Sequence, residues 1–171
     1  IHNDFWRHRP QLRRQGYEGY FGRALDYAHA AVRDHYLALI DETLARYDPD
    51  GLELDFLREP YLFSRGREEA GRAILTAWLA EVRQRVRQVE ARRGHPIRLG
   101  VRTPSRPEVA LRFGLEPVAW ARQGLVDLIV ATPRWATLEY DLPLREWRRL
   151  LAGCGVSLLG GLEVNIRPYP G

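Results

Sequence analysis

Residues 50–60, DGLELDFLREP, limit the fold of this chain more than any other stretch. Side chains alternate across a β-strand, so an extended run here sends Leu52, Leu54 and Phe56 to one face and Glu53 and Asp55 to the other. An apolar face of that kind suits helices packed behind a sheet. Two carboxylates on the opposite face, near the strand's C-terminal end, lie where barrels and open α/β sheets carry their chemistry. Buried acids need either a cationic partner or a chemical task.

The rest of the chain repeats helix and strand. Residues 27–47 place Val32, Tyr36, Leu39, Ile40, Thr43, Leu44 and Tyr47 at helical spacing, with Asp26 as the predicted N-cap. The turn 48–51, Asp-Pro-Asp-Gly, ends that helix. A second helix is predicted over 66–93, burying Ala70, Ile74, Leu75, Trp78, Val82, Val86 and Val89, and Gly94-His95-Pro96 stops it. Strands follow at 97–103, 125–132 and 156–165, separated by short helices at 107–113, 117–123 and 143–152. In the second strand Ile97, Leu99 and Val101 share one face, and Arg98, Gly100 and Arg102 share the other. Residues 1–22 have no periodicity and read as a loop with aromatic side chains.

Strands alternating with helices predict an α/β fold with about four parallel strands and intervening helices. An eight-stranded barrel takes about 250 residues, so 171 residues as a single domain predict a partial (β/α)8 TIM barrel or a small open sheet. Either leaves two bare strand edges, which calls for a missing barrel half or self-association.

Composition narrows the functional classes. Hydrophobic residues make up 45 % of the chain, which excludes a disordered polypeptide. No apolar run approaches the roughly 20 residues of a membrane span, so no membrane partner is expected. No signal-peptide pattern opens the chain, and a removed leader keeps both a cytoplasmic and a secreted or periplasmic location open. The absence of Met, including at position 1, points to a processed chain or an internal fragment.

All 26 basic residues are Arg, and the net charge is +4. The arginines are interleaved with acids, as in REEAGR and DLPLREWRR, the pattern of a solvated helix face. No nucleic-acid-binding signature appears, so no nucleic acid is expected as a partner. Cys154, the one cysteine, sits in a small-residue turn and reads as structural. There is no phosphate-binding loop, dinucleotide fingerprint or nucleophile elbow, and the histidine spacing does not make a metal site, so neither cofactor nor metal is expected.

Aligned side by side in barrel register, the strands offer Glu53 and Asp55, Arg98 and Arg102, Asp127, and Glu163 with Asn165 on their inner faces. Asp55 and Glu163 both stand at C-terminal strand ends. Two carboxylates across one cavity are what glycoside hydrolysis needs: one protonates the leaving group, the other attacks or activates water. A separation of roughly 5 Å gives retention and roughly 6.5–9.5 Å gives inversion. Arg102 suits either holding one of the β-strand acids ionised or binding an anionic group such as a uronate, and Arg58 suits the same two roles. Arg98, deeper in its strand, and Asp127, early in its own, read as structural, Arg98 as a buried ion-pair partner. Asn165 can orient a sugar hydroxyl or cap the following loop.

Aromatic residues follow the strands: Tyr61 and Phe63, Trp135 and Tyr140, and Tyr169, joined by Trp6. Flat rings suit sugar faces, and Trp135 and Tyr61 are the candidate platforms. Trp78, Trp120 and Trp147 fall on helices and read as core. His2 and Asp4 are substrate-binding candidates on the N-terminal segment.

With these residues in view, the run VRDHYLALIDETLARYDPDGLELDFLREP resembles the centre of bacterial glycosidases of the glycosyl-hydrolase-like family ten type, a branch of the (β/α)8 glycosidases. There a helix ending in Tyr-Asp leads into a strand reading Asp-Gly-hydrophobic-Glu/His-hydrophobic-Asp-aromatic with Arg just after. Here these are Tyr47, Asp48, Asp50, Gly51, Glu53, Asp55, Phe56 and Arg58. The opening IHNDFW resembles the end of their third strand, so the resemblance implies coverage from there through strand seven.

It further implies an acid/base on strand four, at Asp55 or Glu53, and a nucleophile or base on strand seven, at Glu163. The Asn-Glu pair that the largest retaining clan carries on strand four has no counterpart here. Leu57 stands where a chitinase-like acid would be. The expected activity is hydrolysis of a glycosidic bond in an oligosaccharide or polysaccharide, with Asp55 as acid, Glu163 as nucleophile or base, and Glu53 and Arg102 tuning them. The alternative expectation is a non-catalytic carbohydrate- or anion-binding barrel.

Overall fold

The computed structural model of the chain describes residues 3–134 and 140–162. Six α-helices and four strands run in the order α1 (Asp4–Arg7), α2 (Ala30–Arg46), β1 (Gly51–Asp55), α3 (Glu68–Arg93), β2 (Arg98–Pro104), α4 (Pro107–Arg112), α5 (Pro117–Arg122), β3 (Leu128–Thr132), α6 (Leu144–Leu150) and β4 (Ser157–Gly160). The strands form one sheet in sequence order, and every neighbouring pair is parallel. The α/β class and the alternation of helix with strand are therefore as the sequence pattern predicts.

Register explains the two faces. Leu54 lies opposite Val101, which lies opposite Ile129, which lies opposite Leu158. This row, with Leu52, Leu99 and Ala131, packs against Leu75, Trp78, Leu79, Val82 and Val86 of α3 and against Trp120 and Trp147. Burial of these apolar surfaces is the main stabilising term. The opposite row holds Asp55, Arg102, Val130 and Leu159. Asp55, Glu53, Arg98 and Leu159 are exposed there.

Local chemistry sets the helix ends. Glu68 and Glu69 open α3, and Arg92 and Arg93 close it, matching the helix dipole at both ends. Gly94 then takes φ +78°, the left-handed cap glycine alone adopts easily. Gly71 of α3 gives its place to the Phe63 ring: a Cβ there would meet that ring at 2.4 Å. Helices α4 and α5 each begin on a proline, whose missing N–H is no loss at that position. The three helical tryptophans are core as expected. Each indole N–H finds an acceptor: Trp78 the Arg33 carbonyl, Trp120 the Thr76 hydroxyl and Trp147 the Ser105 carbonyl.

Several sequence expectations are corrected. Helix α2 starts at Ala30 with His29 as its N-cap, not at Asp26. Asp26 is buried and instead binds the Ala28 and Ser64 amides and the Ser64 hydroxyl. An Asx turn competes with capping for such a side chain. The buried stripe of α2 is Val32, Leu37 and Leu44, whereas Leu39 and Tyr47 are exposed.

Asp127 does not share the face of Asp55. It precedes β3 and points to the helix layer, where Arg83 of α3 grips it through both nitrogens at 2.8 and 3.1 Å. Its Oδ2 also accepts the Leu99 amide at 2.8 Å. The residue is structural, as expected, but on the other side of the sheet. Arg98, expected as a buried ion-pair partner, is exposed and makes no ion pair among the described residues. Phe63 is fully buried core rather than a ring at the strand ends. The described part of the N-terminal segment, from residue 3 on, contains the single turn α1 and 3₁₀ turns at Pro10–Leu12 and Phe21–Arg23.

Candidate functional site

Strand β1 delivers two carboxylates to one face. Glu53 lies opposite Gly100, and Asp55 opposite Arg102. The glycine leaves Glu53 without a side-chain neighbour across the ladder. No hydrogen bond or ion pair engages its carboxylate among the described residues, and it stands exposed at the sheet edge.

Asp55 is the opposite case. Arg102 donates from Nε to Oδ1 at 2.8 Å and from Nη2 to Oδ2 at 2.7 Å. The Leu57 and Arg58 amides donate to the same Oδ1 at 3.0 and 3.1 Å. The carboxylate thus ties β1 to β2 and shapes the turn after β1. Of the two roles the sequence allows Arg102, the structure displays the first, holding an acid.

A cavity of about 450 Å³ opens beside these groups. Glu53, Asp55, Arg58, Glu59 and Tyr61 line its polar part, and Tyr36, Leu39, Ile40, Leu52 and Leu54 its apolar part. Arg14 closes one end. Its side chain is fully buried, and it pairs with Glu59 at 2.8 Å. Glu59 in turn accepts a bond from Tyr20, which raises the Tyr20 hydroxyl above its ordinary range.

Tyr61 stands at the rim but within a ring cluster. Tyr17, Phe21 and Phe113 lie 4.7, 5.3 and 5.1 Å from it, centre to centre. The guanidinium groups of Arg14 and Arg134 lie over the same ring. Burial, followed by a hydrogen bond to Glu68, pushes the Tyr17 hydroxyl well up.

The predicted site residues therefore divide. Glu53, Asp55, Arg58 and Tyr61 share the cavity, and Arg102 reaches it through Asp55. Asp4 stands apart on α1, 84 % exposed in its side chain and 3.8 Å from Arg7. It does not line this cavity. His2, Trp135, Glu163 and Asn165 lie outside the described residues, as does Tyr169. Tyr140 is exposed.

Arg14, Glu59 and Tyr20 were not anticipated. Arg14 sits in an aperiodic segment, RRQ, with nothing to mark one arginine as buried. Arg58 belongs to the charged motif that follows β1, and Glu59 next to it carries no comparable signal. A smaller hollow next to the cavity is lined by Asn3, Trp6 and His35. His35 stacks on Phe5 at 4.1 Å, and burial followed by the charge of Arg9 lowers its proton affinity.

Among the described residues no group of three or more His, Cys, Asp and Glu is arranged to hold a metal ion. No described helix is long and apolar enough to cross a membrane. Cys154 is half-buried against the core. No family model matches this sequence, and no curated protein matches it.

Proposed function

We propose that this chain is glycoside hydrolase-like, a partial (β/α)8 barrel whose carboxylates hydrolyse a glycosidic bond in an oligosaccharide or polysaccharide without a cofactor. The observation that supports this reading is the pair Glu53 and Asp55. Both lie on the exposed sheet face, toward the C-terminal ends of parallel strands, and open on the cavity beside β1. That is where such sheets place their chemistry.

The geometry divides the labour between the two acids. A general acid must carry a proton on one oxygen and release it to the leaving group. On Asp55 three N–H donors converge on Oδ1, and a proton on Oδ2 would share that oxygen with the Arg102 Nη2 donor. Glu53 has no such competitor, so it takes the acid role that the sequence pattern gave first to Asp55. Asp55 then positions Arg102 and holds the turn that carries Arg58. Glu163, which the resemblance casts as nucleophile or base, completes the proposed pair. Arg58 and Tyr61 bind sugar hydroxyls or a carboxylate at the rim.

The alternative, a carbohydrate- or anion-binding barrel without catalysis, draws on the closure of Asp55 by Arg102. Hydrolysis of an oligosaccharide panel separates the two. Glu53→Gln lowers turnover by about 100-fold or more, the scale of a lost general acid, while sugar binding by calorimetry is retained. Glu163→Gln abolishes turnover as well. Saturable binding with no turnover of any member by the unmodified chain would select the binding reading.

A further inference from the structure

We propose that this chain pairs with a second copy of itself edge to edge, β4 of each copy beside β1 of the other. The inference rests on main-chain groups and apolar grooves; it shares the cavity beside β1 with the proposed glycosidase site, and its test reads mass rather than turnover, so the two can fail separately.

Both outer strands have unspent hydrogen-bonding groups. The Arg98 amide donates to the Asp50 carbonyl, and the Phe56 amide to the Arg102 carbonyl. That phase turns the even-numbered residues of β1 toward β2 and leaves the N–H and C=O groups of Gly51, Glu53 and Asp55 facing outward. At the other end of the sheet, the Ser157 amide donates to Asp127 and the Gly161 amide to Ala131. Leu158 and Gly160 therefore face outward from β4. None of these outward groups has a main-chain partner among the described residues. Strand β4, Ser157–Gly160, has neither charge nor proline, two devices that otherwise blunt an edge.

Each edge also has an apolar groove beside it. Along β1, Leu39, Ile40 and Tyr36 of α2 and Leu52 and Leu54 line the cavity of about 450 Å³. Leu39 is 42 % exposed, although α2 has a core to bury it in. Along β4, Leu144 and Leu151 with Val156 and Leu158 line one of about 460 Å³. Helix-side leucines at both edges thus lack a neighbouring strand and helix.

The two edges fit each other in phase and direction. A two-fold axis along the strands keeps all strands parallel and joins both edges at once, closing a ring instead of starting a filament. Within the sheet, helix-facing residues of each strand bond exposed-face residues of the next. The same rule at the new junction admits Leu159 opposite Glu53 of the second copy, the register taken here because it pairs every main-chain group of Leu158 and Gly160. Leu158 N–H then donates to Gly51 C=O, Glu53 N–H to Leu158 C=O, Gly160 N–H to Glu53 C=O, and Asp55 N–H to Gly160 C=O. Leu158 falls beside Leu52 on the helix side. The enclosed face is charge-balanced, because each copy brings Glu53 and Asp55 with Arg98 and Arg102.

Sedimentation equilibrium of the 171-residue chain tests this. The expected mass is twice that of one chain. Leu158→Pro removes an outward N–H while leaving the bonds of Ser157 and Leu159 to β3, so it yields a monomer with an unchanged circular dichroism spectrum. Leu39→Lys, at an exposed helix position that folding does not depend on, raises the dimer dissociation constant by about ten-fold or more. A monomeric unmodified chain overturns the proposal. A dimer that neither substitution weakens overturns it too, as does an open-ended series of larger species.

Discussion

Two Asp–Arg pairs of nearly the same geometry stand at opposite ends of this sheet. Asp127 receives Arg83 at 2.8 and 3.1 Å, and Asp55 receives Arg102 at 2.8 and 2.7 Å. The first lies under α3 at the start of β3, with side chains 19 % and 12 % exposed. The second lies on the helix-free side, at the end of β1, with side chains 38 % and 30 % exposed. Asp127 also takes the Leu99 amide, so it fastens a helix to two strands. Asp55 takes the amides of its own turn, so it fastens a loop beside a cavity. The same bidentate chemistry thus serves the fold in one place and a candidate site in the other. What separates them is solvent and what each additional acceptor bond holds.

This contrast has measurable consequences. Asp127→Ala leaves the Arg83 charge and the Leu99 amide without their acceptor in a sheltered place. It should cost about 3–5 kcal/mol of stability, read from urea unfolding. Asp55→Asn breaks a pair that water already screens, and the amide oxygen of Asn still accepts from the turn. Its cost should be only about 1 kcal/mol. Its larger effect should fall on the turn carrying Arg58, seen as amide shift changes confined to residues 55–61. Double-mutant cycles make the ranking strict: the coupling between Arg83 and Asp127 should exceed that between Arg102 and Asp55. Equal couplings would mean that exposure does not distinguish the two pairs.

The β1 side of this contrast was legible in the sequence and the β3 side was not. In GLELD, apolar and acidic residues alternate strictly, so the face of each side chain follows from its position. In LVDLIVAT, apolar residues occupy both faces, and alternation says nothing about which way Asp127 points. Its orientation is decided by Arg83, 44 residues away in sequence. The same limit applies to Asp26: its partner Ser64 comes from a distant loop, and a residue preceding a helix reads as a cap until that loop is known.

Long helices were readable because their apolar period is sustained over many turns. The stripe of α2 misled in an informative way. Leu39 keeps the period but is exposed at the cavity, and Ile40 lines the cavity while packing against the edge of the core. Arg14 had no local signal, because a buried arginine is defined by its acceptors, Glu59 and the Phe21 carbonyl, and neither is predictable from its neighbours.

A third acid at the opposite end of the strands carries the comparison to the solvated limit. Asp48, just before β1, accepts from His95 Nε2 at 2.8 Å and forms an ion pair with Arg93, whose Nη1 lies 2.9 Å away. The hydrogen bond to Asp48 raises the His95 proton affinity above its usual value of 6.5, and the bond from His95 lowers that of Asp48 below 3.8. The signs fix the window. A raised histidine stabilises the fold fully below the unfolded value and loses that contribution as pH rises through the folded one. A lowered carboxylate contributes above its unfolded value and loses that as pH falls through the folded one. The pair therefore contributes most between about pH 4 and about pH 6.5. Asp48→Asn should return the His95 titration midpoint toward its ordinary value by NMR. The stability gap between the two proteins should narrow as pH rises from about 6.5 through the raised His95 midpoint. Being solvated, it should be the smallest of the three effects. A gap that stays constant as pH rises would mean that His95 meets Asp48 as a neutral donor, with no proton gained on folding, and that Arg93 alone supplies the positive charge of this pair.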